Sequence, residues 1–214
     1  MRAPAAILAL AAATAVLGFG DAAAARPKSA APATASADTA PLTTAPAEPT
    51  DSLHAPAGVA DCIWGEVPED VREAVERAGS IDVIATAIKD LGADKDGQLR
   101  LAEHCGVPTG VTDPAAVVRH TIEARTLEIW TTGQLKSAYG VSHDRLDAAW
   151  AKLGAADKAD FAHWFGDRQQ VPEDKLDRVQ GLMGALGLDG EDAATVVLYY
   201  AGARALYEQL GGTI

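Results

Sequence analysis

Residues 189–210, DGEDAATVVLYYAGARALYEQL, decide the fold of this chain. Asp189 stands where a helix N-cap belongs, and Val196, Tyr200, Ala203, Tyr207 and Leu210 then recur at helical spacing. The other sides of the segment are apolar as well, so a helix here must be covered on most sides, and the stretch predicts the central helix of a bundle. Arg204 and Glu208 interrupt it. They argue against a membrane span, which needs about twenty predominantly apolar residues.

Working outward, the same periodicity recurs upstream. Leu176, Val179, Leu182, Met183 and Leu186 form a stripe that stops before Gly187. Asp157 is placed to cap a short helix presenting Phe161, Trp164 and Phe165, aromatic spacing that suits a bundle core better than an open groove. Ser142 caps a segment carrying Leu146, Ala149, Trp150 and Leu153, which Gly154 ends. Asp113-Pro114 starts another helix, with Val118, Ile122 and Ile129 on or near one face. Thr131 to Gly133 is expected to interrupt it, leaving a short piece that ends at Gly140. Val67-Pro68-Glu69-Asp70 and Val171-Pro172-Glu173-Asp174 are one helix-start signal used twice, since their flanks do not align as a duplication would. Sustained alternation and clustered β-branched residues, the marks of strands, are missing. The expected class is all-α, a single compact bundle of about six to eight short helices spanning 61–214.

The front of the chain reads differently. Arg2 precedes an apolar run from Ala5 to Phe19, and an Ala-x-Ala site follows near Ala23 to Ala25, the pattern of a secretory signal peptide over 1–25. Residues 26–60 are rich in Ala, Pro, Thr and Ser and lack the branched and aromatic residues a core needs, so they are expected to form a disordered linker. Export, to a periplasmic or extracellular location, places Cys62 and Cys105 in an oxidising compartment, where a pair tends to close. The bond would enclose a loop of about 42 residues, worth roughly 4 kcal/mol by loss of unfolded-chain entropy. Two free thiols, or a reactive Cys105 beside His104, are the alternatives. Asp61 before Cys62 does not fit a lipid-modified cysteine.

A net charge of −12 repels phosphate backbones and anionic headgroups, and no Lys or Arg cluster offers a local exception, which argues against nucleic acid as a partner.

Gly92-Ala93-Asp94-Lys95-Asp96-Gly97-Gln98-Leu99-Arg100-Leu101-Ala102-Glu103 resembles an EF-hand calcium loop over these twelve residues. The resemblance implies Asp94 and Asp96 at the third and fifth positions, the Gln98 carbonyl as a further ligand, and Glu103 closing the site at the twelfth. Ile84, Ala87, Ile88 and Leu91 supply the stripe of an entering helix. Gly92 stands where the pattern has an Asp, Gly106 and Pro108 cut the exiting helix short, and no second hand is present. The other reading of the same residues is a helix ending at Gly92 followed by a turn in which Asp94 or Asp96 caps the next helix.

Elsewhere, His120-x-x-Glu123 and Asp160-x-x-His163 each place an imidazole and a carboxylate on one helix face, but further inward-facing acids for a dimetal bundle cannot be assigned. No glycine-rich phosphate loop follows a strand, and no nucleophile elbow is present. The expectation is a non-enzymatic interaction or structural module of the cell envelope, its partner an envelope protein and no cofactor required. Calcium binding through 92–103 is the first alternative. An envelope enzyme, with His104, His120 or His163 in a pocket beside a carboxylate, is the second.

Overall fold

The structure, a computed structural model, describes residues 54–166 and 173–214, without the side chains of residues 81, 87, 90–92 and 173–175. The expected signal peptide over 1–25, residues 26–53 of the expected linker and the Val171-Pro172 start signal lie outside the described residues. In chain order the helices are α1 (Val59–Gly65), α2 (Glu69–Arg77), α3 (Ile81–Ala93), α4 (Lys95–His104), α5 (Pro114–Tyr139), α6 (His143–Trp150), α7 (Ala155–Gly166), α8 (Glu173–Leu186) and α9 (Glu191–Gln209). Among the described residues there is no strand, the chain is all-α, and no helix is long and apolar enough to cross a membrane.

Helix α9 is the centre of the bundle, as its all-round apolarity predicts. Every residue from Tyr200 to Tyr207 is buried, and the helix packs most extensively on α5 and α7. Its N-cap is Gly190, one residue beyond the expected Asp189. Val196 is only part-buried, while Val197, one position on, is fully buried. The close approach to α7 depends on Gly202, where a Cβ would stand 2.8 Å from the Cβ of Phe165. A methyl group there would force the two helices apart.

Helix α5 contains the main departure from expectation. It runs unbroken for 26 residues, through Thr131 and Gly133, to Gly140, whose φ of 67° ends it. Thr131 is fully buried, and its hydroxyl donates back to the carbonyls of Leu127 and Glu128 at 2.7 and 3.1 Å. Burial of Thr131, the bond of Thr132 to Glu128 and the packing of α5 as a whole on α9 outweigh the weak local helix preference of Thr and Gly.

Ser142 caps α6 through the amide of Arg145, and Leu146, Ala149 and Trp150 enter the core. Phe161 does the same from α7, with Phe165 packed against the core beside it. Asp157 lies within the first turn of α7 instead of capping it, and pairs with Arg178 of α8 at 2.9 Å. Leu176, expected in the α8 stripe, is 41 % exposed, while Val179, Leu182, Met183 and Leu186 are buried.

The folded body also begins before residue 61. Val59 and Ala60 are buried, the Ala55 amide donates to Gln209, and the Gly58 amide donates to Gly211. Gly211 has a φ of 83° and meets the Pro56 carbonyl so closely that no side chain fits there. Residues 54–60, expected to be linker, are therefore clamped to the end of α9. Backbone pairing fixes them there, and a composition signal does not register such pairing.

Candidate functional site

Two charged clusters flank α9, and both are built on residues that amphipathic patterning would send to the surface. In the first, Arg204 is 6 % exposed, and its Nη1 donates to the Asp147 carboxylate at 2.8 Å and to the Tyr200 hydroxyl at 2.6 Å. Glu208, one turn on, accepts from the Trp150 indole at 2.7 Å and from Lys158 at 3.2 Å. The Arg204 guanidinium and the Lys158 ammonium both lie over the Trp150 ring, at 5.2 and 4.8 Å. A buried guanidinium is tolerated here because its donors have partners and an aromatic face covers it.

The second cluster joins α5 to the chain ends. Glu128 is 3 % exposed, accepting from Arg125 at 2.8 Å and from Thr132 at 3.2 Å. Arg125 lies 5.2 Å over the Tyr207 ring, and the Tyr207 hydroxyl donates to Asp61 at 2.9 Å. Asp61 also accepts from the amide and hydroxyl of Thr213. Between the clusters is a cleft of about 230 Å³ lined by Arg125, Glu128, Ile129, Thr132, His143 and Ile214. His143 reaches Asp147 at 3.1 Å, which links the cleft to the first cluster.

The ionisation of these groups follows from their surroundings. Burial pushes the Asp61 carboxyl up, but hydrogen bonds from Thr213 and Tyr207 outweigh it, and the group sits below the ordinary carboxylate range. Asp147 behaves alike, burial being outweighed by Arg204 and His143. Burial raises the Tyr200 phenol to about 12 despite Arg204, and burial together with the Asp61 hydrogen bond raises Tyr207. At neutral pH these four groups are fixed: two carboxylates charged, two phenols neutral. A general acid or base needs the opposite, a pKa near the working pH.

Sequence reasoning did not find this arrangement. The His143–Asp147 pair at i and i+4 and the Arg125–Glu128 pair at i and i+3 were readable signals, but Arg204 meets Asp147, and Arg125 meets the Tyr207 ring, only through the packing of α9 on its neighbours. Of the histidines singled out beforehand, His120 lies 3.9 Å from Glu123 and His104 lies 3.7 Å from Glu66. Asp160 pairs with Arg178 of α8, and His163 is exposed. None of His104, His120 and His163 lines the cleft.

The segment 92–103 takes the capped-helix form. Asp94 is the N-cap of α4, its carboxylate accepting from the Gly97 amide at 2.8 Å, and Lys95 to Glu103 are helical. Nine helical steps separate the Asp94 and Glu103 backbones by about 13 Å along the axis, whereas calcium ligands must meet within about 2.5 Å of one ion. Asp96 lies exposed in the first turn. Gln98 is buried, and its side chain accepts from Arg119 at 3.2 Å. Among the described residues no group of three or more His, Cys, Asp or Glu is placed to hold a metal ion. Asp94, Asp96, Gln98 and Glu103, which a calcium loop would fold around one point, lie here at the cap and along the length of α4.

Cys62 of α1 and Cys105, the C-cap of α4, are joined in a disulfide with Cα atoms 5.6 Å apart. No protein-family model matches this chain, and neither a curated protein nor a solved structure does.

Proposed function

We propose that this chain is an exported, disulfide-stapled helical module of the cell envelope that binds another envelope protein and carries out no catalysis. The observation that carries the reading is the Cys62–Cys105 bond, because such bonds persist where the surroundings are oxidising and are rare where glutathione keeps thiols reduced. The leader pattern of residues 1–25 agrees with it, as does the linker composition that follows.

Binding is favoured over catalysis by the use made of the interior charges. Arg204 and Asp147 tie α9 to α6, Asp61 ties α1 to α9 and to Thr213, and Glu128 braces α5 by pairing with Arg125. The Asp61 and Asp147 carboxyls are held below the ordinary carboxylate range, away from neutrality. The outward face is acidic, which suits a basic protein surface.

Fractionation with N-terminal sequencing tests the export half: a mature product beginning after the Ala23–Ala25 region and recovered outside the cytosol is expected. A product kept inside the cell with its leader attached would overturn it. A broad hydrolase screen on the purified chain tests the other half, and turnover abolished by His143→Ala would replace binding with catalysis.

A further inference from the structure

Helices α2 to α4 leave the bundle and return to it between two points that the disulfide joins, 43 positions apart in sequence. We propose that the Cys62–Cys105 bond is a redox latch: a dithiol donor that reduces it frees the α2–α4 arm, Glu69–His104, from the remaining helices, which stay folded. The inference holds whatever the module binds.

The two anchors differ in how firmly they are held. Cys62 belongs to α1, whose Val59, Ala60 and Ile63 are buried and whose Asp61 is bonded to Tyr207 and Thr213. That end remains with the body when the bond is cut. Cys105 ends an arm with little burial of its own: α2 buries Val75, α4 buries Gln98 and Ala102, and Ile84 is buried among the described side chains of α3. By contrast α9 buries two tyrosines, a leucine and everything between Tyr200 and Tyr207. Segments with few buried apolar side chains open locally at a fraction of the global cost, and a covalent tie at the return point suppresses that opening.

Chemistry at the latch is balanced by the donor. Both cysteines are part-exposed, so a donor thiolate can attack one sulfur, forming a mixed disulfide and expelling the other as a thiolate that takes up a proton. The donor's second thiol, as its thiolate, then attacks the donor's first sulfur, closing the donor disulfide, breaking the mixed disulfide and expelling the attacked cysteine as a thiolate that also takes up a proton. Two electrons and two protons have moved, leaving thiols at Cys62 and Cys105 and a disulfide on the donor. The released arm uncovers the surface of α5 against which α2 and α4 pack.

Hydrogen exchange on the whole oxidised chain, with and without dithiothreitol at neutral pH, tests this. Amides of α2, α3 and α4 are expected to exchange on the order of a hundredfold faster after reduction, while those of α5 and α9 stay unchanged. Equal acceleration in all helices, or none in the arm, overturns the proposal. The double variant Cys62→Ser with Cys105→Ser is expected to reproduce the reduced pattern without any reductant. If that variant fails to fold, the body does not stand without the bond and the proposal is equally overturned.

Discussion

The α5–α9 pair and the α2–α4 arm are made from similar residues and held by different means. In the pair, two long helices bury one another along most of their length, with Tyr200, Leu206, Tyr207 and Leu135 among the side chains fully withdrawn from water. The arm's helices are short, expose Val83 and Leu99, and are returned to the body by a covalent bond and a part-buried Gln98–Arg119 contact. The difference teaches that helical propensity and amphipathic spacing make helices in both places, while stability is set by how much apolar area the partners cover.

The largest test of this contrast is Leu206→Ala. It empties a site that is 1 % exposed in the body and is expected to cost about 3 kcal/mol, read as a lower denaturation midpoint with exchange accelerated in every helix. A loss confined to one helix would break the comparison. Next comes Gly202→Ala, which drives a methyl into Phe165 and is expected to cost about 2 kcal/mol by chemical denaturation.

Acid should also strike the body. Asp61 and Asp147 have folded pKa values below their unfolded ones, so the stability they supply is complete above the unfolded value of about 4 and is lost as pH falls through the folded one. Asp61→Asn is expected to cost about 1.5 kcal/mol at pH 7 and to flatten the acid limb of a stability–pH curve. An unchanged acid limb would remove Asp61 from the account.

Smaller effects sharpen the contrast. Asp94→Ala removes the α4 cap and should cost about 1 kcal/mol in the exchange of α4 amides, leaving α9 untouched. Thr126→Val should do the reverse in sign. The Thr126 hydroxyl is buried without a hydrogen-bond partner, so replacing it with a methyl is expected to stabilise the body by about 0.5 kcal/mol in thermal melts.

Much of this architecture was legible beforehand because its causes are local. The caps at Asp113 and Ser142, the stop at Gly140, the stripes of α6 and α8, and the centrality of α9 depend on spacing and on turn chemistry within a few residues. The disulfide followed from two cysteines and an export pattern, and its Cα separation of 5.6 Å is what a bonded pair requires.

Tertiary structure decided the rest. Whether Thr131–Gly133 breaks α5 depends on what the helix packs against, and Thr131 is buried in a helix whose most extensive partner is α9. Whether Asp94 and Glu103 converge depends on the backbone between them, and a hydrogen-bonded helix keeps them apart. Whether Arg204 sits in water or in the interior depends on partners far off in sequence, the Asp147 carboxylate and the Trp150 ring. A sequence by itself determines which segments coil and which faces seek cover, because those follow from neighbours along the chain. The fold alone chooses the cover, because burying a charge is tolerable only where distant groups arrive to pair with it.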